Sequence, residues 1–403
     1  MERAYDLIVV GAGAIGLSCA WRCAQAGMSV LVLERDEPGA GASGVAAGML
    51  APVTEASFGE QALLALNLEA RAQWPGFAAE LEEATALPTG YTESGALVVA
   101  ADRDDVEELR RLHAFQLELE LDAEWLPPRE ARRREPSLSP RIGGAIHAPQ
   151  DGYADPASVL RALVVALEAA GGELRAGADV TGIETEGGRV TGVRVAARTS
   201  PAAMRLRGGE ATPVATASGD DDETIAAATV LVAAGAWSTE GALASEASAP
   251  SVRPVKGQLL ELRVRPGHRP PARHIVRTPR CYLVTRGDGR VVLGATQEEQ
   301  GFDTTVTAEG VYRLLEAAWE VLPEIGELEL VRARAGLRPG TPDNSPAVGA
   351  GEPDGLVWAT GHHRNGIMLA PFTARAVTEL LTRGELPSAF APFRPGRFGE
   401  VRA

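Results

Sequence analysis

The first forty residues follow one another in the order strand, turn, helix, strand. Residues 5–10 form a short apolar run that is typical of a buried parallel strand. Small and apolar residues from Leu17 to Ala26 have helical spacing, and Gly27 stands where such a helix would end. A second β-rich run, residues 29–33, ends in Glu34. The pattern predicts a βαβ unit at the start of the chain.

Helical and β-rich patterns then alternate along the rest of the chain. Helices are predicted at 63–81, 102–120, 157–170, 308–321 and 372–381, and strands at 91–100, 180–184, 189–195, 229–232, 251–264 and 281–296. Strand and glycine-turn character returns at 335–340 and 355–368. We therefore expect an α/β protein (α+β overall). A Rossmann-like dinucleotide-binding domain (1–88, 142–250 and 326–403) is interrupted by a β-rich antiparallel domain (89–141 and 251–325).

One internal stretch departs from this pattern. Residues 196–223 contain Pro201, Pro213 and a Gly-Asp-Asp-Asp run at 219–222, with few apolar positions. Such a composition predicts a flexible inserted loop within a β-meander.

Charge and composition narrow the function classes. The chain has 403 residues and a formal net charge of −15, which argues against nucleic acid and anionic membranes as partners. The longest apolar stretch, 225–237, is too short for a membrane span, and acidic Glu2 and Asp6 stand where a signal peptide would be basic. Three cysteines favour buried thiols over disulfides. We expect a cytoplasmic protein.

The turn after the first strand carries the first chemistry. Gly11, Gly13 and Gly16 have the GxGxxG spacing, in which glycines allow a tight turn, close approach of a pyrophosphate and close packing of the helix on the strand. Phosphates bind the free N–H groups where the helix begins. Glu34 stands eighteen residues after Gly16, near the position of a carboxylate that binds ribose hydroxyls. The motif predicts a dinucleotide site and leaves NAD and FAD open.

Two further segments are rich in small residues, which would let more of the backbone approach an extended ligand closely. Residues 39–49 consist almost entirely of Gly, Ala and Ser up to Gly48 and Met49. The strand at 229–232 ends in Ala233, Ala234 and Gly235, at the type of sheet edge where ligands bind.

At this point the chain resembles the FAD-dependent amine oxidases of the D-amino-acid oxidase (DAO) fold, and among them the glycine oxidases. The matching blocks are VVGAGAIG (9–16), AAGML (46–50), AAGAWS (233–238), PVKGQ (254–258), CYLV (281–284), GAT (294–296), AGLRPGT (335–341) and GHHRNGI (361–367). Their order spans nearly the whole chain. The resemblance implies a DAO (glutathione-reductase-2-type) fold and FAD as the cofactor.

The resemblance also implies which residues contact FAD. Beside the turn glycines they are Ala14, Ile15, Glu34, Arg35, Ala42, Ser43, Ala47, Gly48, Met49, Val180, Ala234, Gly235, Trp237, His362, His363, Arg364, Asn365, Gly366, Ile367 and Met368.

The substrate residues follow from the same comparison. Arg338 resembles the arginine that pairs with the substrate carboxylate, and Tyr282 its hydroxyl partner. A planar guanidinium suits this role because it offers two parallel hydrogen bonds, which a lysine cannot. Arg364 is expected beside them as a third catalytic and substrate-binding residue, with Met49 and Gln297 as further substrate contacts.

The resemblance implies oxidative deamination of glycine, sarcosine or D-alanine by hydride transfer to flavin N5. Oxygen would yield hydrogen peroxide, and the imine would become glyoxylate and ammonia or feed thiazole synthesis for thiamine. Because no cysteine lies at 335–370, we expect non-covalent FAD, unlike in the related sarcosine oxidases. A D-amino-acid dehydrogenase or a sarcosine-oxidase-like amine oxidoreductase with a non-oxygen acceptor remains the alternative enzyme.

Other classes fit less well. The block at 361–368 has no role in an NAD enzyme, and a non-catalytic flavin subunit would not need Arg338 and Tyr282. His362 and His363 have no carboxylate or cysteine at ligand spacing, so no metal is expected. The family implies a homo-oligomer, a tetramer being one form.

Overall fold

The structure is a computed structural model that describes residues 4–196, 204–207, 210–213, 222–241, 243 and 249–398. Its strands are β1 (Tyr5–Val10), β2 (Val30–Glu34), β3 (Met49–Leu50), β4 (Ala96–Ala100), β5 (Glu124–Leu126), β6 (Gly144–Ala148), β7 (Gly152–Tyr153), β8 (Glu173–Ala176), β9 (Val180–Glu186), β10 (Arg189–Val195), β11 (Met204–Arg207), β12 (Glu210–Pro213), β13 (Glu223–Val232), β14 (Arg253–Arg263), β15 (Ile275–Arg277), β16 (Tyr282–Thr285), β17 (Arg290–Gly294), β18 (Glu329–Gly340), β19 (Ala347–Ala350) and β20 (Leu356–Thr360). Its α-helices are α1 (Ala14–Gln25), α2 (Gln61–Thr85), α3 (Arg103–Glu118), α4 (Pro128–Arg134), α5 (Pro156–Ala169), α6 (Ala308–Val321) and α7 (Gly366–Arg383).

The first sheet contains the predicted βαβ unit. Its strand order is β19-β20-β13-β1-β2-β8, and β13 also pairs with the β9–β10 hairpin. The strands from β20 to β8 run parallel, as the unbroken apolar runs of β1 and β13 require when both faces are covered. Helices α1, α2, α5 and α7 cover one face, where Trp21, Trp74 and Phe372 are fully buried. The predicted α/β fold class is confirmed.

The second sheet is largely antiparallel, with the order β18-β14-β17-β16-β15-β4-β6-β5. Helix α6 packs Leu314, Ala318 and Val321 against it in a second core. Two of its strands, β6 and β18, lie in sequence segments that we expected to belong to the dinucleotide domain. We therefore keep the two-domain division as a proposal and assign these two strands to the second domain.

Helix ends differ from the pattern where proline lies inside a helix. Helix α7 begins at Gly366, six residues before the predicted start, and includes Pro371. Tertiary packing outweighs the cost of the missing N–H there, since residues 367–374 are buried. Helix α2, predicted at 63–81, spans Gln61–Thr85 and contains Pro75.

The predicted loop 196–223 falls largely outside the described residues. Two parts of it that the structure describes, β11 and β12, pair as an antiparallel ladder from Met204–Pro213 to Arg207–Glu210. The segment connects β10 to β13, which pair with each other at Val195 and Glu223. Sparse apolar content did not predict these strands. Across the described residues, no helix is long and apolar enough to cross a membrane.

Candidate active site

A cavity of about 1010 Å³ opens where parallel strands of the first sheet end. Val10, Leu33, Ala233 and Thr360, at or next to the carboxyl ends of β1, β2, β13 and β20, line it. Ligands bind at this edge in open α/β sheets. The volume is at the upper end of the usual range for small-molecule pockets, which leaves room for an extended ligand.

The glycine turn lies against this edge as its spacing predicts. Gly11 has φ +104°, and a Cβ there would lie 2.6 Å from the carbonyl oxygen of Ala233. A Cβ on Gly16 would overlap the carbonyl oxygen of Gly11, so this third glycine serves the packing of α1 on the turn. The backbone N–H of Ala14, in the first turn of α1, donates to Oγ of Ser43 at 3.0 Å. The start of the helix and the small-residue loop therefore meet at the cavity.

Glu34 and Arg35 occupy the end of β2. The Glu34 carboxylate accepts hydrogen bonds from the backbone N–H groups of Ala12 (2.8 Å) and Asp36 (2.9 Å), which hold it at the cavity wall. The Arg35 guanidinium lies 4.9 Å from the ring centroid of Trp237. The fold thus brings together two predicted cofactor residues from distant parts of the chain.

The small-residue loop is fixed by a residue that the sequence analysis missed. Gly48 has φ +74°, and a Cβ there would overlap the carbonyl oxygen of Ala154. Buried Arg286 donates from Nη2 to the Ala47 carbonyl oxygen at 2.8 Å and lies 3.6 Å from the Asp155 carboxylate. The available signal for this anchor was an arginine directly after the largely apolar strand β16, at the start of the turn to β17.

The C-terminal block contributes two neutral histidines. Burial lowers the pKa of His362 to about 3, and its Nε2 lies 3.0 Å from Oγ1 of Thr373. Burial, assisted by nearby Arg338 and Arg364, lowers the pKa of His363 to about 3 as well. Among the described residues its two ring nitrogens have no hydrogen-bond partner.

The predicted cofactor and substrate residues line the cavity, with three exceptions. Gly16 faces the turn, Asn365 is buried beside the start of α7, and Met368 is fully buried in the helical core. The Met368 carbonyl oxygen accepts from Nε1 of Trp74 at 2.9 Å. The positions of Asn365 and Met368 suit support of the cavity wall.

These walls fit FAD. The start of helix α1 lies at the cavity wall, where its backbone N–H groups can donate to a pyrophosphate, and Glu34 offers a carboxylate for ribose hydroxyls. Gly11 and Gly48 allow close approach of the Ala233 and Ala154 carbonyl oxygens, so that the glycine turn and the small-residue loop can line one cavity. The residues that would hold the cofactor therefore come from β1–α1, β2, the 39–49 loop and the start of α7.

The opposite part of the cavity, which we call the substrate end, is lined by Arg338, Tyr282 and Gln297. Arg338 donates from Nη1 to the carbonyl oxygens of Thr296 at 3.2 Å and Lys256 at 3.4 Å, which leaves Nη2 and Nε to bind an anionic group. Its guanidinium lies where a Cβ on Gly257 would be.

Tyr282 lies over Gly294, since a Cβ there would be 2.5 Å from the phenol oxygen. Burial raises the pKa of Tyr282, so the hydroxyl stays protonated and can donate to a carboxylate. Arg338 and Tyr282 therefore form a compact set of donors for an anionic group.

The other predicted substrate residues lie around this set. Met49 and Gln297 line the cavity. Arg364 is exposed at the rim and donates to Oε2 of Glu60 at 3.0 Å. Arg280, next to the CYLV block, is ion-paired with Glu320 on α6.

Two charged residues at the substrate end were missed. Arg277 and Glu55 both line the cavity, and Arg277 lies directly opposite Tyr282 in the β15–β16 pair. The turn between positions 277 and 282 was a signal for this pairing, because residues that flank a hairpin turn face each other.

Comparisons with known proteins agree with this geometry. The family model "FAD dependent oxidoreductase" (DAO) matches residues 6–380. The chain is 32% identical to a glycine oxidase of Geobacillus kaustophilus, covering 98% of this chain and 97% of that protein. The crystal structure of glycine oxidase from the same organism has a TM-score of 0.85 over 98% of this chain and 99% of that one.

Two other similar proteins are not named as glycine oxidases. The bifunctional protein ThiO/ThiG of a Synechocystis strain is 31% identical, and the match covers 99% of this chain and 55% of that protein. The hydrogen cyanide synthase subunit HcnC of Pseudomonas aeruginosa is 27% identical over 99% of this chain and 97% of that protein. With the family match and the dinucleotide cavity, these similarities show that the chain belongs to the DAO family of FAD-dependent oxidoreductases.

Proposed function

We propose that this enzyme oxidises glycine, and small relatives such as sarcosine and D-alanine, with oxygen as the electron acceptor. The observation that carries the proposal is the convergence of Arg338 and Tyr282 on the substrate end of the cavity, in space that Gly257 and Gly294 leave open. The similarity to glycine oxidases supports the same substrate class.

Arg338 would bind the substrate carboxylate through two parallel hydrogen bonds, and Tyr282 would donate a third. This arrangement would orient the α-carbon toward the cofactor, whose bound form supplies the hydride acceptor. Met49 and Gln297 would limit the size of the substrate. Arg364 would contact the substrate from the rim, where Glu60 now holds it.

The overall reaction would convert glycine, water and oxygen into glyoxylate, ammonia and hydrogen peroxide. Tyr282 is protonated, and the pKa values of His362 and His363 are lowered to about 3, so both imidazoles are too weakly basic to take a proton from the substrate ammonium. The substrate amine would therefore enter the reaction in its neutral form.

We also propose that the imine product supplies thiazole synthesis for thiamine, which the similarity to a bifunctional ThiO/ThiG protein supports. A homo-oligomer is part of the proposal, and light scattering of the purified protein tests it.

The experiment that tests the proposal is a flavin absorption spectrum of the purified protein without oxygen. Glycine, sarcosine and D-alanine are added in turn, and air is then admitted. Bleaching by glycine, followed by recovery in air with formation of peroxide, is the expected result. Bleaching by D-alanine alone, with slow recovery, would contradict the glycine oxidase proposal and favour a dehydrogenase.

A further inference from the structure

Glu55 is a cavity-lining carboxylate with a rigid backbone. It stands five residues after β3, in a segment that Asp151 holds by accepting hydrogen bonds from the N–H groups of Val53 (3.2 Å) and Thr54 (2.9 Å). Arg277 holds the same segment by donating from Nη1 to the Thr54 carbonyl oxygen. The position of Glu55 is therefore set by two separate elements of the fold.

The Glu55 carboxylate has unused hydrogen-bonding capacity. Its side chain is only 9% exposed, and its nearest cation is Nη2 of Arg277 at 3.6 Å, beyond the usual hydrogen-bond distance. Within the part of the chain that the structure describes, no donor makes a hydrogen bond to its oxygens. A mostly buried carboxylate in this state is stabilised by a ligand that brings N–H donors.

The position of Glu55 suits the amino group of a bound α-amino acid, which is the second functional group of such a substrate. Arg277 faces Tyr282 across β15 and β16. Burial raises the pKa of Tyr282, Arg338 lowers it and Glu55 raises it, so a cation and an anion both act on the same hydroxyl. In an α-amino acid the carboxylate and the amino group are attached to one carbon, so their receptors must be close together.

We propose that Glu55 binds the amino group of the substrate while Arg338 and Tyr282 bind its carboxylate. This inference rests on the proposed amine oxidase function and adds a substrate requirement: an α-amino acid with at least one N–H bond. Arg277 acts as a positioning residue, because it holds the Thr54 carbonyl and limits the approach of Glu55 to Tyr282.

The test compares Glu55→Gln with wild-type holoenzyme, using glycine and acetate as probes. Acetate has the carboxylate of glycine and no amine. The apparent Kd for glycine, from the anaerobic flavin-bleaching rate at increasing concentration, should rise about tenfold or more, as expected for loss of a charge-assisted hydrogen bond. The Kd for acetate, from the change in the flavin spectrum, should change less than about twofold, since its partners Arg338 and Tyr282 are retained.

The pH profile gives an independent readout. A carboxylate beside the bound ammonium raises the pKa of that ammonium, so Glu55→Gln should shift the rise of kcat to lower pH. In Glu55→Asp, which keeps the charge on a shorter side chain, kcat should rise at a pH between those of the wild-type protein and Glu55→Gln. Glu69→Gln is the matched control, because it removes the charge of a glutamate that pairs with an arginine, Arg375, outside the cavity.

An equal rise in the Kd for glycine and the Kd for acetate in Glu55→Gln would overturn the inference and make Glu55 a counter-ion of Arg277 alone. Unchanged glycine affinity would also overturn it. If glycine fails to bleach the wild-type flavin and D-alanine succeeds, the proposed glycine oxidase function fails, and D-alanine with propionate then decides the role of Glu55. If no α-amino acid bleaches the flavin, both are wrong.

Discussion

Replacing Gly257 with alanine introduces a methyl group against the guanidinium of Arg338. An ideal Cβ at position 257 lies 2.4 Å from both Nη1 and Nη2 of Arg338, whereas ordinary van der Waals contact begins at 3.4 Å. The guanidinium must therefore retreat by about 1.0 Å, the difference between those distances. A misplacement of about 1 Å in a substrate-orienting group costs up to about 100-fold in rate.

We expect Gly257→Ala to lower kcat/KM for glycine by about 10- to 100-fold and to leave the flavin content unchanged. The flavin should remain bound because the residues proposed to hold it, in the glycine turn and the 39–49 loop, belong to other segments. Steady-state peroxide production and the absorbance ratio of flavin to protein measure the two quantities.

Gly287→Ala is the matched control, because this glycine lies in the turn between β16 and β17 and a Cβ there meets nothing within 4 Å. If Gly257→Ala has the same kcat/KM for glycine as the wild-type enzyme, the assignment of Arg338 to the substrate carboxylate is refuted. Loss of flavin in parallel with activity would also refute it, since the damage would then extend beyond the substrate end.

Three further predictions concern pH, the loop anchor and the cofactor linkage. Turnover of glycine should rise from pH 6 to 10 as the substrate ammonium loses its proton. The pKa values of His362 and His363 are lowered to about 3 and that of Tyr282 is raised, so these side chains do not account for such a rise. A turnover rate that stays constant over this range would contradict the prediction. Arg286→Met should lower the free energy of unfolding by about 2 kcal/mol, because it removes the charged donor to the buried Ala47 carbonyl oxygen while Asp155 keeps its ion pair with Arg290. Thermal unfolding and flavin release by dilution measure this effect, and an unchanged melting temperature would count against the anchor. Acid precipitation should release all flavin into the supernatant, because burial raises the pKa of Cys281 and keeps it an unreactive thiol; flavin retained by the pellet would disprove non-covalent binding.

The nucleotide half of the site could be predicted from local sequence. Gly11, Gly13 and Gly16 act through backbone geometry within one turn, and Glu34 follows at the end of the next strand. Such features depend on neighbours along the chain, so spacing is enough to find them. The apolar runs of β1 and β13 likewise predicted buried parallel strands, and these strands pair side by side.

The assignment of strands to sheets could not be predicted in the same way. Strand β18 pairs in the second sheet although β19, the next strand along the chain, belongs to the first, and β6 pairs there although the next strand, β7, pairs with β3. The partner of a strand depends on contacts between distant segments, which a local pattern does not contain. The predicted boundaries at residues 142 and 326 place both strands in the first domain, whereas the strands pair in the second sheet.

The sequence was sufficient for the cofactor turn and, through resemblance, for Arg338 and Tyr282. Glu55, Arg277 and Arg286 became functional candidates only when the fold brought the β3 segment, β15 and the β16–β17 hairpin to one cavity. The physical reason is that a glycine turn is specified by backbone dihedral angles within a few residues. The partner of a charged side chain is specified by tertiary packing between elements far apart in the chain.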